Sequence, residues 1–85
     1  MPYFVYMLLS KHKEKLISYV GYTSNLKNRL SLHNTSKGAK FTKGKKWIII
    51  HKQKYLSKSD AMKDEYKLKK DYKLRNKIKM NFIKK

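Results

Sequence analysis

Cysteine is absent from the 85 residues, which excludes a disulfide framework and any thiolate zinc site. A metal held by this chain must therefore bind oxygen or imidazole, and the absence fits a reducing compartment such as the cytoplasm. Acidic residues are scarce: five Asp and Glu stand against 23 Lys and Arg, a formal charge of +18. With one proline and three glycines, neither a long linker nor a low-complexity segment beyond lysine enrichment appears. Nor is there a hydrophobic run long enough for a membrane. Met1 to Leu9 is apolar, but it lacks a basic lead-in and a small-residue cleavage site and ends at about half a membrane span.

What is present is enough to fold. Hydrophobic residues make up 40% of the chain and aromatics 13%, against the pattern of a disordered chain. The length suits one domain over residues 1–85 with one modest core. Such a positive field attracts polyanions and releases their counterions on contact, so nucleic acid leads as partner class. The competing readings are a compositional lysine bias, since only Arg29 and Arg75 are arginine, and an anionic membrane surface.

Tyr3 to Leu9 is apolar on both alternating faces, the pattern of a central strand covered on both sides, with Tyr3, Val5, Met7 and Leu9 pointing one way and Phe4, Tyr6 and Leu8 the other. A polar turn over Ser10 to Leu16 leads to a second strand, Ile17 to Tyr22, where Gly21 marks a bulge or a close backbone approach. Thr23-Ser24-Asn25 offers caps for a helix from Ser24 to His33, closed by the turn-forming Asn34-Thr35-Ser36. A flexible basic loop over Lys37 to Lys46, a third strand from Trp47 to Tyr55, a helix from Asp60 to Lys70 and a basic helix from Leu74 to Phe82 complete the chain. The expected fold is α+β: a small three-stranded, mainly antiparallel sheet flanked by helices in the order ββαβαα.

Two charges sit where apolar residues belong. At 100° per residue, Arg29 and His33 fall inside the arc of Leu26, Leu30 and Leu32 on the first helix. On the second, Glu65 lies near the centre of a face formed by Ala61, Met62, Leu68 and Tyr66, with Lys63, Asp64, Lys67 and Lys70 opposite. An unpaired ion in a protein interior costs several kcal/mol, so Arg29 and Glu65 require partners. Helical geometry alone leaves two solutions open, a buried Arg29–Glu65 bridge and a functional cleft.

Phe4-Val5-Tyr6 followed by Tyr19-Val20-Gly21 resembles the paired half-motifs of the GIY-YIG nuclease superfamily. The likeness continues through Tyr22-Thr23, Arg29 ten residues after Tyr19, His33-Asn34, Gly38-Ala39-Lys40-Phe41-Thr42 and Glu65, nearly the whole chain. It is nearest to the stand-alone, single-domain bacterial members, relatives of the nuclease domains of the excision-repair C subunit and of branch nucleases. The first triplet departs from Gly-Ile-Tyr at two positions that serve chiefly backbone and packing roles.

The resemblance implies a metal-dependent endonuclease, acting on DNA ahead of RNA in a repair or DNA-processing role. Glu65 would hold one Mg²⁺ or Mn²⁺ together with water and phosphate oxygens. Arg29 would clamp a non-bridging phosphate oxygen. Tyr6 and Tyr19 would position or deprotonate the water, with the choice between them open. His33 would share a phosphate, orient a tyrosine or accept a proton. Lys37, Lys40, Phe41, Lys43, Lys45 and Lys46 would follow the backbone of the nucleic acid, with Lys73, Arg75, Lys77 and Lys79 extending the track and Asn76 reaching toward the site. His12 and His51 have no ligand spacing. The alternatives are a non-catalytic binding module and a catalytic subunit that requires a partner protein.

Overall fold

A computed structural model describes residues 2–35 and 37–84. It comprises β1 (Tyr3–His12), β2 (Lys15–Thr23), α1 (Leu26–Asn34), β3 (Ile48–Tyr55), α2 (Lys58–Lys70) and α3 (Tyr72–Ile83). The order is the expected ββαβαα, and the sheet runs β2-β1-β3 with both pairings antiparallel. β1 is central because both its faces are apolar. Val5 and Met7 pack with Val20, Ala61 and Leu68 on one side, while Tyr6 and Leu8 pack with Trp47, Leu26 and Leu30 on the other. One layer is thus α2 and α3, the other α1. No described helix is long and apolar enough to cross a membrane.

The broad turn expected over Ser10 to Leu16 is only Lys13-Glu14. Ser10, Lys11 and His12 pair with Ile17, Leu16 and Lys15, so the hairpin ladder continues past the buried part of the sheet. Lys13 and Glu14 have φ of 49° and 68°, the left-handed conformation that matches strand twist in a two-residue turn. Gly21 causes no bulge and pairs in register with Tyr6. The irregularity lies on β3, where Met7 opposes His51 and Leu8 opposes Ile49, leaving Ile50 as the extra residue.

The helix starts follow their caps, each worth about 1 kcal/mol. Asn25 accepts from the Asn28 N–H at 3.0 Å, Ser57 from Asp60 at 3.1 Å and Asp71 from Leu74 at 3.0 Å. These place α1 two residues later than expected and α2 and α3 two residues earlier. Of the turn expected after α1, Asn34 closes the helix and Thr35 caps it, while Ser36 lies outside the described residues.

The buried line of α2 is Ala61 and Leu68. Met62 and Tyr66, expected inside, are 46% and 59% exposed. The true line is rotated so that Asp64 and Glu65 flank it. Asp64 therefore does not face solvent opposite the core but is half-buried near Tyr55, whose hydroxyl is pushed above its usual pKa range by burial and by the nearby Asp64 carboxylate. On α3, Ile78 packs against the core, and Leu74 is 43% exposed.

Candidate active site

A pocket of about 390 Å³ opens beside β2, where the two helical layers meet. Four elements supply its polar wall: Tyr6 from β1, Tyr19 from β2, Arg29 from α1 and Glu65 from α2. Strand register brings the tyrosines together. Tyr6 opposes Gly21 and Leu8 opposes Tyr19, so both rings rise from one face, with centroids 6.4 Å apart. Gly21 permits this, since a Cβ there would stand 2.5 Å from the Tyr6 hydroxyl oxygen. The glycine is required by close approach.

Arg29 lies beside the Tyr6 and Tyr19 hydroxyls in the pocket wall. Burial pushes Tyr6 above the usual tyrosine range, with the neighbouring Arg29 opposing it, and the same proximity to Tyr6 raises Arg29 further. No Arg29–Glu65 bridge forms among the described residues. Glu65 pairs instead with Lys69 one turn along α2 at 3.7 Å, on the solvent side. Two expected core charges are thus walls of one cleft.

His33 is fully buried beneath Tyr6 and is not part of the pocket wall. The expectation that it could share a phosphate fails on this geometry. Its Nε2 lies 2.9 Å from the Tyr6 hydroxyl and its Nδ1 2.8 Å from the Thr42 hydroxyl, so both nitrogens face protein groups. Burial, then the nearby Arg29 charge, lowers its pKa. The unfolded chain therefore binds a proton that the folded chain refuses, and stability is present above about pH 6.5 and lost as pH falls from there through the lower folded value. Melting temperatures taken from about pH 7.5 to pH 5 should fall over this range while the His33 ring resonances titrate late; a His33 titration at the ordinary value contradicts the assignment.

Gly38 packs on the same ring, and a Cβ there would stand 2.4 Å from His33 Nδ1. Gly38→Ala should cost about 1–3 kcal/mol in urea unfolding, the usual penalty for overpacking a filled interior. A neutral effect would show that the loop can retreat from His33.

The basic loop is tied at its base rather than free. Asn34 accepts from the Trp47 N–H at 2.6 Å and donates to its carbonyl at 3.1 Å, and the Trp47 indole N–H donates to the Thr42 carbonyl at 3.0 Å. Phe41, 52% exposed, stacks on Tyr19 with centroids 6.2 Å apart and carries Lys45 5.6 Å from its ring centre. Phe41 thus extends the aromatic wall from Tyr19 into the basic loop, in which Lys37, Lys40, Lys43 and Lys46 are exposed, though none of the loop lysines lines the pocket itself. Lys73, Arg75, Asn76, Lys77 and Lys79 lie on α3, outside the pocket wall.

Residues 2–79 match the family described as the GIY-YIG catalytic domain. The chain belongs to the GIY-YIG family. The UPF0213 protein OB0043 of Oceanobacillus iheyensis is 39% identical over 67 residues, 78% of this chain and 74% of that protein. The UPF0213 protein SH2523 of Staphylococcus haemolyticus is 38% identical over 64 residues, 74% of this chain and 77% of its own. The solution NMR structure of the UPF0213 protein BH0048 from Bacillus halodurans superposes with a TM-score of 0.50 at 29% identity, covering 94% of this chain and 85% of that one. A GIY-YIG domain implies nuclease activity in general and hence a nucleic-acid substrate, and nucleases of this family generally use a divalent ion.

The donor set of this GIY-YIG pocket suits such an ion in one way. Among the described residues no group of three or more His, Asp or Glu comes together, and Glu65 is the one carboxylate of the pocket wall. One carboxylate beside an open, polar cleft fits a hard cation that keeps most of its water and takes further oxygens from a phosphate. Three wall residues have no place in the site as read from sequence: Tyr3, Ser24 and Lys58. Lys58 has no distinguishing signal among so many lysines.

Proposed function

We propose that this chain is a cytoplasmic, metal-dependent endonuclease that hydrolyses phosphodiester bonds, with DNA ahead of RNA as substrate and DNA processing or repair as its setting, and that residues 1–85 act as one catalytic unit. The observation that carries the reading is the convergence of Tyr6, Tyr19, Arg29 and Glu65 from four elements on one open pocket.

Phosphodiester hydrolysis needs an activated water, neutralisation of charge on the phosphorane-like transition state and help for the leaving oxygen. Glu65 holds the ion, Mg²⁺ or Mn²⁺, which when bound supplies Lewis-acid stabilisation of the departing oxygen. Arg29 donates its planar fork to a non-bridging oxygen, a geometry lysine lacks. The tyrosines hold the water and take its proton. Lys58 at the pocket, with Lys37, Lys40, Lys43, Lys45 and Lys46 along the loop, guides the phosphate backbone, and Phe41 offers a stacking face.

Backbone guidance has a salt signature. Replacing Lys40 and Lys43 together by alanine should weaken binding across sequences and reduce the slope of log K against log salt by about 2, roughly one for each phosphate no longer neutralised. An unchanged slope removes the loop from the interface. The activity itself is tested by incubating labelled single-stranded, duplex and branched DNA and RNA with the protein and Mg²⁺ or Mn²⁺. Cleavage that a chelator stops supports the reading; salt-sensitive binding without cleavage points to a binding module or to a missing partner.

A further inference from the structure

Beside the pocket, α2 holds large apolar side chains in water. Glu65 lines the pocket, while Ala61 and Leu68 face the sheet. At about 100° per residue, the helix surface that turns from Glu65 away from this core line passes Lys58, Lys69 and Met62 and then reaches Tyr66 and Lys70. Met62 and Tyr66, one turn apart, are both exposed. The Lys70 ammonium lies 4.3 Å from the centre of the Tyr66 ring, and the Lys69 ammonium lies 3.7 Å from the Glu65 carboxylate. This face therefore begins at the pocket wall, and its charges beyond Glu65 are all positive.

The other side of the pocket has the same arrangement. Phe41 stacks on the wall residue Tyr19 and has the Lys45 ammonium 5.6 Å from its ring centre. In both places an exposed aromatic ring is followed four residues later by the lysine that sits against it. Phe41 also packs on Trp47, on the α1 side of the sheet, whereas Tyr66 belongs to α2 on the opposite side. The pocket wall thus runs from Tyr19, the neighbour of one ring, to Glu65, the neighbour of the other.

We propose that Tyr66 and Lys70 form a second nucleic-acid contact, and that one strand crosses the pocket from Phe41 to Tyr66 with the reactive phosphate between the two rings. The proposal rests on reading the pocket as a nuclease site. Each ring offers a π-face that any base can cover, and each lysine offers a counter-charge to a neighbouring phosphate. A strand held at both rings keeps its phosphate at Arg29 and Glu65, where a contact on one side alone would let it swing. A second copy of the chain suits this face poorly, since each copy carries a formal charge of +18 and the two would repel. A polyanion satisfies both the lysines and the continuity with the pocket.

The test is binding of a short fluorescein-labelled oligothymidylate to the whole chain in chelator, where no cleavage is required. Tyr66→Ala should weaken binding about 5–150-fold, the range of one base–aromatic stack, and Tyr66→Phe, which keeps the ring, should stay within about threefold of wild type. Phe41→Ala combined with Tyr66→Ala should lose about the product of the two single factors, because one strand is held at both rings. Lys70→Ala should lower the slope of log K against log salt by about one. Tyr72 is the control: it is exposed, with Arg75 5.6 Å from its ring centre, but stands outside the pocket wall, so Tyr72→Ala should leave affinity nearly unchanged. Unchanged affinity in Tyr66→Ala, an equal loss in Tyr72→Ala, or an effect of Tyr66→Ala confined to self-association in sedimentation overturns the proposal alone. A chain that binds through Tyr66 yet cleaves nothing with Mg²⁺ or Mn²⁺ overturns the nuclease reading, and with it the reactive phosphate, while the contact itself stands.

Discussion

Glu65→Ala is expected to abolish metal-dependent cleavage, a loss of at least about 10³-fold, while salt-sensitive binding of nucleic acid persists. The size follows from the site: among the described residues Glu65 is the one carboxylate of the pocket wall, and no group of three or more His, Asp or Glu comes together to take over an ion. Removing a group that stabilises charge only in the transition state costs about 10²–10³ in rate, and losing the ion removes more than one such interaction. Folding should be nearly untouched. The charge partner of Glu65 is Lys69 at 3.7 Å, a partly exposed pair one turn apart of the kind worth about 0.3–0.5 kcal/mol. The melting temperature should therefore fall by less than about 4 °C. Had Glu65 been half of a buried bridge to Arg29, the variant would lose several kcal/mol instead. A folded variant that still cuts removes Glu65 from the mechanism.

Arg29→Ala should lower kcat/KM by about 10²–10³-fold, and Arg29→Lys should recover little of it. Arg29 is the one arginine at the pocket, where it lines the wall beside Tyr6 and Tyr19. Lysine would restore the charge but neither the fork nor its orientation. Single-turnover rates separate this from weaker binding: the loss belongs in the chemical step, with the dissociation constant of substrate changed by much less. An Arg29→Lys variant with full activity would reduce the residue to a point charge among many.

Much of this architecture is readable in the sequence because β1 is apolar on both faces and the capping residues Asn25, Ser57 and Asp71 are ordinary ones. The hairpin turn is not readable, because Lys13-Glu14 contains none of the residues that usually announce left-handed backbone, and only the pairing of two strands imposes it. The phase of α2 is misjudged for a related reason. Met62 and Tyr66 look like core residues, yet a helix with this much lysine buries only the narrow Ala61–Leu68 line. Arg29 and Glu65 stand out in sequence as charges on apolar faces, and the fold brings both to the pocket. His33 stands out for the same reason but is carried beneath the tyrosine. Thr42 belongs to the family-like segment Gly38–Thr42, but its burial is not readable in sequence, since its contacts at Ala39 and His33 exist only when the loop packs on α1.

The most direct test of the central claim is cleavage by the purified chain of labelled DNA and RNA, single-stranded, duplex and branched, in Mg²⁺ or Mn²⁺, with Glu65→Ala run alongside. The expected result is strand scission by the wild type that a chelator stops and that the folded Glu65→Ala protein lacks. Binding without scission on every substrate and with either metal, or scission that survives both the chelator and the substitution, would contradict it.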